Sequence, residues 1–259
     1  MTRRGLQLLI AAATLATATP AGAERLITSV STYRVLINST FTGTELVLFG
    51  AIELDENSAA RPNGYGVVVT VRGPAGSFTT RRKERLLGLW VNTDSRQFVD
   101  VPSYLAVLTN RPLAELGPPD QLRRLRIGLV NNTLTQRVGS DFADVVPQDP
   151  IRAAFIRVKT NEGLFREQTT GVTFLTPTLF RATVPMPGIS PIGGYEVETM
   201  LLADGNLLAR ERTAIEVVKT GLEFSLAQAA HEDRLVYGLA TALLALATGL
   251  AGSLLFGRD

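Results

Sequence analysis

The chain has 259 residues, with 26 Lys and Arg, 24 Asp and Glu, one His and no Cys. These counts exclude a disulfide framework, a thiol nucleophile and any Cys-containing zinc or iron–sulfur centre. A single His also excludes a multi-histidine metal site and routes any Ser-His-Asp chemistry through His231.

The N-terminus reads as a secretory signal. Arg3 and Arg4 form a positive start, Leu6 to Ala16 an apolar core, and Ala21-Gly22-Ala23 a cleavage site that leaves Glu24 first in the mature chain. The apolar core is shorter than the roughly 20 residues a membrane crossing needs. Residues 1–23 hold two Arg and no acid, so their removal takes the 26 bases to 24, equal to the 24 acids. Bulk charge then gives no argument for a nucleic-acid partner.

Residues 24–147 read as a β-rich periplasmic domain. Strand candidates are Leu26–Val30, Arg34–Ile37, Glu45–Ile52, Gly66–Val71, Arg85–Val91, Gln97–Val101 and Tyr104–Leu108, rich in Val, Ile, Leu and Thr and parted by Gly, Pro, Asn and Asp. Arg72–Gly76 is a turn. Short helices are expected at Pro112–Leu116 and Pro119–Leu125. Many short strands at this spacing suggest an immunoglobulin-like β-sandwich.

Residues 148–221 read as a helix followed by a smaller β module. Asp149 caps a helix with Pro150 at its first position, and Ile151, Ala154, Phe155 and Val158 recur at helical spacing. Gly171–Leu175, Leu179–Val184 and Tyr195–Leu202 are strand candidates. Asp204-Gly205 signals a hairpin turn into a return strand, Leu207–Val218.

A juxtamembrane segment, 222–234, leads into Leu235–Phe256, which has no charged residue and no Pro. As a helix it would extend about 33 Å, enough to cross a bilayer core, with 257–259 left as a cytoplasmic tail. Tyr237 and Phe256 mark its two interfaces, and His231 is expected as a residue of the membrane edge. Thr241, Ala245, Gly249 and Ser253 form a small-residue stripe suited to helix packing in the membrane. These features predict a single-pass inner-membrane protein with its N-terminal domain in the periplasm.

Several segments resemble a transmembrane protein family of alphaproteobacteria that has no assigned activity. They are Phe41-Thr42-Gly43-Thr44-Glu45-Leu46-Val47-Leu48-Phe49-Gly50-Ala51-Ile52, Leu179-Phe180-Arg181-Ala182, Gly193-Gly194-Tyr195-Glu196-Val197, Val218-Lys219-Thr220-Gly221-Leu222-Glu223 and Tyr237-Gly238-Leu239. The resemblance runs from about Ile27 to the end. It implies an inner-membrane protein with a periplasmic domain and brings no catalytic residues. Physically, Gly43 suits a turn, Gly50 a close strand approach, and Phe49 the core.

Two basic clusters are the candidate binding residues for an anion, a partner protein or acidic lipid: Arg81, Arg82, Lys83 and Arg85 near Trp90, and Arg123, Arg124 and Arg126. The acids Glu53, Asp55, Glu56, Asp141, Asp144 and Asp149 lack the spacing of a calcium loop, so no metal is expected. Walker, nucleophile-elbow and dinucleotide motifs are absent, and no cofactor is expected. Three readings stand. The first is a non-enzymatic module that binds another inner-membrane or periplasmic protein, such as a transporter. The second is an anionic-ligand or ion-binding domain, and the third a carboxylate-based envelope enzyme.

Overall fold

The computed structural model describes residues 24–54, 61, 64–132, 134–138, 141–144, 149–221, 230–231 and 234–256. The expected signal at 1–23, Asp55, Glu56, most of the juxtamembrane segment and the tail at 257–259 lie outside them. The described chain is mainly β, in three sheets.

The first sheet has four antiparallel strands: β1 (Arg25–Val30), β3 (Gly43–Glu53), β12 (Leu179–Pro187) and β11 (Val172–Phe174), in that order. The second has six, ordered β10 (Phe165–Gln168), β7 (Leu105–Thr109), β4 (Gly66–Arg72), β13 (Gly193–Ala203), β14 (Asn206–Lys219) and β2 (Arg34–Ile37). Its interior is antiparallel, while the edge strands β10 and β2 run parallel to β7 and β14. The third sheet is β5 (Ala75–Leu86), β6 (Leu89–Pro102), β8 (Thr135–Val138) and β9 (Asp141–Asp144), dominated by the β5–β6 hairpin. Four helices complete the described chain: α1 (Leu113–Leu116), α2 (Pro119–Arg124), α3 (Pro150–Asn161) and α4 (Arg234–Phe256).

β4 is buried from Gly66 to Val71, as a Val run requires when both faces of its sheet are covered. Register places Val69 opposite Leu108 and Thr199, and Val71 opposite Ala106 and Val197. That face meets the first sheet. A Cβ on Gly171, just before β11, would strike the Leu108 side chain, and the Tyr104 hydroxyl donates to the Pro185 carbonyl of β12 at 2.6 Å. The opposite face, carrying Val68, Thr70, Glu198 and Met200, lies under the segment 113–134. There Leu116 packs on Gly66, and the Leu129 amide donates to the Glu167 carboxylate at 2.9 Å. α3 closes the core through Phe155, whose ring sits 5.1 Å from Phe98 and 5.9 Å from Phe165.

Strands from 148–221 enter both sheets begun by 24–147. β12 pairs with β3, β13 with β4, and β10 with β7. A single buried cluster includes residues from both segments.

Four local expectations are corrected. Arg85–Val91 is not one strand: Leu87 (φ 49°) and Gly88 (φ 86°) form the turn between β5 and β6. Phe49 is not core but 43% exposed, because alternation along β3 sends Leu46, Leu48, Gly50 and Ile52 inward. Val158 faces outward while Ile151, Arg152 and Phe155 are buried. β8, β9 and β10 fall where helix or loop was expected. Gly50 does serve a close approach: it lies opposite Phe180, whose ring fills the space a Cβ would take.

α4 has 23 residues, and its side chains are described without interruption over 237–253. Among the described residues no helix is long and apolar enough to cross a membrane.

Candidate functional site

The site grows from the alternation of β13. Glu196, Glu198 and Met200 share the outer face of the six-stranded sheet, and register sets Glu196 opposite Arg72, Glu198 opposite Arg212 and Met200 opposite Arg210. Glu198 is 3% exposed, a costly place for a charge unless it is well partnered. Three guanidiniums supply the partners: Arg72 at 2.9 Å, Arg212 at 3.1 Å and Arg210 at 3.4 Å. Arg212 also reaches Glu196 at 3.4 Å. Burial raises the Glu198 carboxyl. Hydrogen bonds and charge from Arg72, with the charge of Arg210 and a hydrogen bond from Arg212, outweigh it and hold the group below the usual glutamate range.

The turn that ends α2 brings two more cations. Leu125 has α-helical dihedrals, and Arg126 (φ 56°) is left-handed, which redirects the chain after α2. Arg124 and Arg126 thereby line a groove of about 280 Å³ together with the arginines around Glu198. Both are exposed, and no ion pair is described for either. A neighbouring hollow of about 370 Å³ shares Arg72, Arg126 and Glu196 and adds Asp100 and Asn132. Five guanidiniums face two carboxylates in the first groove, so it carries surplus positive charge able to hold a carboxylate, phosphate or sulfate group.

The two sequence-derived clusters fare differently. Arg124 and Arg126 line the groove, whereas Arg123 pairs with Asp120 at 3.8 Å and does not. Arg81, Arg82, Lys83 and Arg85 lie on the far half of β5, where Arg82 pairs with Glu84 at 2.7 Å. No described cavity is lined by residues of both clusters. Arg72, Arg210, Arg212, Glu196 and Glu198 were not among the sequence candidates.

Two of the acids, Glu53 and Asp149, take structural roles. Glu53 pairs with Arg25 at 3.7 Å. Asp149 caps α3, accepting from the Ile151 and Arg152 amides at 2.8 and 3.1 Å, and also pairs with Arg96. Among the described residues no group of three or more His, Cys, Asp and Glu could hold a metal ion. The carboxyls with a clear shift, Glu24, Asp149 and Glu198, all move down, opposite to what a general acid needs. His231 is exposed, and its carbonyl accepts from Arg234 Nε at 3.3 Å. On α4, Thr241, Ala245, Gly249 and Ser253 are all exposed. The Thr241 hydroxyl donates back to the Gly238 carbonyl at 2.9 Å, which hides its polarity within the helix.

No curated protein matches the chain. The family model described as Putative transmembrane protein (Alph_Pro_TM) matches residues 25–258, nearly the whole chain beyond the expected signal, and the protein therefore belongs to that family.

Proposed function

We infer that the chain is a single-pass inner-membrane protein whose β-rich domain stands on the periplasmic side and binds, without catalysis, another envelope or transport protein. The observation that carries this reading is the arginine groove. Its sheet cations are already paired with Glu198, while Arg124 and Arg126 line the groove with no described ion pair. An acidic segment of a partner would supply the missing charge. The anchor is assigned to α4 from the uncharged run Leu235–Phe256, the exposure of Leu235, Leu239, Leu243, Leu244 and Leu246, and membership of a family described as transmembrane. The stripe of Thr241, Ala245, Gly249 and Ser253 would pack against a second membrane helix. The first two sheets are read as an immunoglobulin-like sandwich modified by the parallel edge strands.

Crosslinking in intact membranes, followed by purification of the tagged full chain, tests this. The expected result is a discrete adduct with another protein that disappears in R124E/R126E while the fold is kept. Recovery of the lone chain, or an adduct indifferent to the charge reversal, overturns it. The groove's size and surplus charge also favour a second reading, a small anionic ligand. Calorimetric titration of the purified full chain with phosphate, sulfate and a dicarboxylate separates the two.

A further inference from the structure

The far end of the β5–β6 hairpin is apolar and in water. Leu86, Leu87, Leu89 and Trp90 are 59%, 99%, 71% and 69% exposed, and Val91 is partly exposed beside them. Cross-strand register pairs Leu86 with Leu89 and Arg85 with Trp90. Leu86 and Leu89 therefore share one face of the ribbon and Trp90 occupies the other. Leu87 caps the tip with φ 49°, in a two-residue turn where both dihedrals are positive and Asn or Gly is the comfortable choice. A leucine there costs backbone strain and gains no burial, so folding does not explain it. Immediately behind the tip lie Arg81, Arg82, Lys83 and Arg85, against Glu84 and Asp94.

We propose that this hairpin tip inserts into the headgroup region of an anionic lipid bilayer, a membrane contact separate from α4 and from the groove. Three features select lipid over protein. Apolar groups cover both faces and the end of a two-stranded ribbon, whereas a docked protein surface would cover one face. From Leu87 back to Arg85 is about 7 Å at strand rise, which matches the roughly 5–10 Å that interfacial segments sink. The order is apolar tip, then Trp90 level with Arg85, then the remaining bases, the arrangement that meets acyl chain, interface and anionic headgroup in turn. Val91 adds apolar surface on the Leu86 face, while Lys83, opposite Asn92, continues the basic collar along β5.

Trp90 is the only Trp in the chain and so reports on the tip alone. The full chain is reconstituted into phosphatidylcholine vesicles with and without phosphatidylglycerol, each carrying brominated lipid. In the anionic vesicles Trp90 emission should shift to the blue and be quenched by the bromine. Leu87→Asn, which suits the turn and preserves the fold, should lower the inserted-to-free ratio roughly tenfold, the loss of one buried leucine. Arg85→Gln should lower it about fivefold, the usual effect of one base at an anionic surface. Unquenched emission in anionic vesicles overturns the proposal, as does equal quenching in neutral ones. A blue shift that grows with protein concentration without bromine quenching also overturns it, since a second copy then covers the tip. Flotation that survives alkaline carbonate reports α4 independently of the interfacial hairpin, so failure of the anchor and failure of the hairpin are told apart.

Discussion

Arg72 Nη1 donates to Glu198 Oε2 at 2.9 Å, joining β4 to β13 diagonally across the outer face of the six-stranded sheet. The carboxylate is buried, and Arg210 and Arg212 complete its shell. Removing the acid while keeping the bases takes the paired carboxylate from Arg72 and Arg210, both partly sheltered, while Arg212 keeps Glu196. Breaking a buried pair in this way costs about 3–5 kcal/mol. Glu198→Ala is expected to lower the unfolding free energy by that amount in urea titrations, whereas Arg212→Ala, with its side chain 59% exposed, should cost far less.

The same pair sets a pH dependence. Burial opposes ionisation of Glu24 and Glu198, but the hydrogen bonds and charge of Arg61 in the first case and of Arg72 and its neighbours in the second more than offset it. Both carboxyls therefore titrate below 4.5 in the folded chain. A depressed folded value adds stability above the unfolded value, and that stability is lost as pH falls through the folded one. The urea midpoint should hold from neutrality to about pH 5 and then fall through and below 4.5. In Glu198→Gln the starting value is lower and the acid-side slope shallower; an unchanged slope would show that Glu198 is not one of the groups responsible.

Why the groove was only half legible follows from one bulge. Arg124 and Arg126 stand out as a charge cluster, and Asp204-Gly205 announces the β13–β14 hairpin. Counting outward from that turn with no irregularity would set Glu198 against Glu211, a like-charge pair. The register shift between Leu201 and Leu202 moves Glu198 opposite Arg212 instead, and that shift leaves no mark in composition. β10 was hidden for a different reason: Phe165-Arg166-Glu167-Gln168 has little apolar alternation and becomes a strand through main-chain pairing with β7. The β5–β6 turn was hidden because Leu87 replaces the Asn or Asp that normally signals it. β1, β2, β3 and β4, by contrast, carry alternation or a Val run strong enough to read directly.

Gly50 and Phe180 face each other between β3 and β12, the ring lying where a Cβ would be. Gly50→Ala forces the ring aside in a filled core, at about 1–3 kcal/mol. Phe180→Ala alone leaves a cavity and costs about 3–5 kcal/mol. The double variant should be more stable than the sum predicts, because the added methyl enters the space the ring leaves. Additive losses in a denaturation cycle would mean the two do not share that volume.

Asp149 does two jobs at the start of α3, capping its first amides and pairing with Arg96 of β6. Asp149→Asn keeps a competent cap and loses the charge, whereas Asp149→Ala loses both. The alanine variant should cost about 1–2 kcal/mol for the cap with the ion pair in addition, and the asparagine variant less. Amide hydrogen exchange over Ile151–Phe155 distinguishes them: protection should drop sharply in the alanine variant and modestly in the asparagine one.

The proposed anchor makes the last prediction. Leu235–Phe256 is uncharged but rich in Ala, Gly and Thr, so in the proposed span the leucines would carry most of the affinity for lipid. Leu244 lies near the middle of α4 and is exposed. An arginine at a helix centre costs about 2.5–3.5 kcal/mol on insertion scales, and losing the leucine removes a further favourable contribution. A span so diluted with small residues has little margin to absorb that. Leu244→Arg should move the chain from the carbonate-resistant membrane fraction to the soluble one, while Leu244→Ala should leave it in place. If wild type itself is extracted by carbonate, α4 is not a transmembrane anchor, and membrane contact would have to come from elsewhere in the chain. If Leu244→Arg stays in the membrane fraction, the arginine has found a partner within the bilayer, and an acidic residue on a companion helix becomes the group to find.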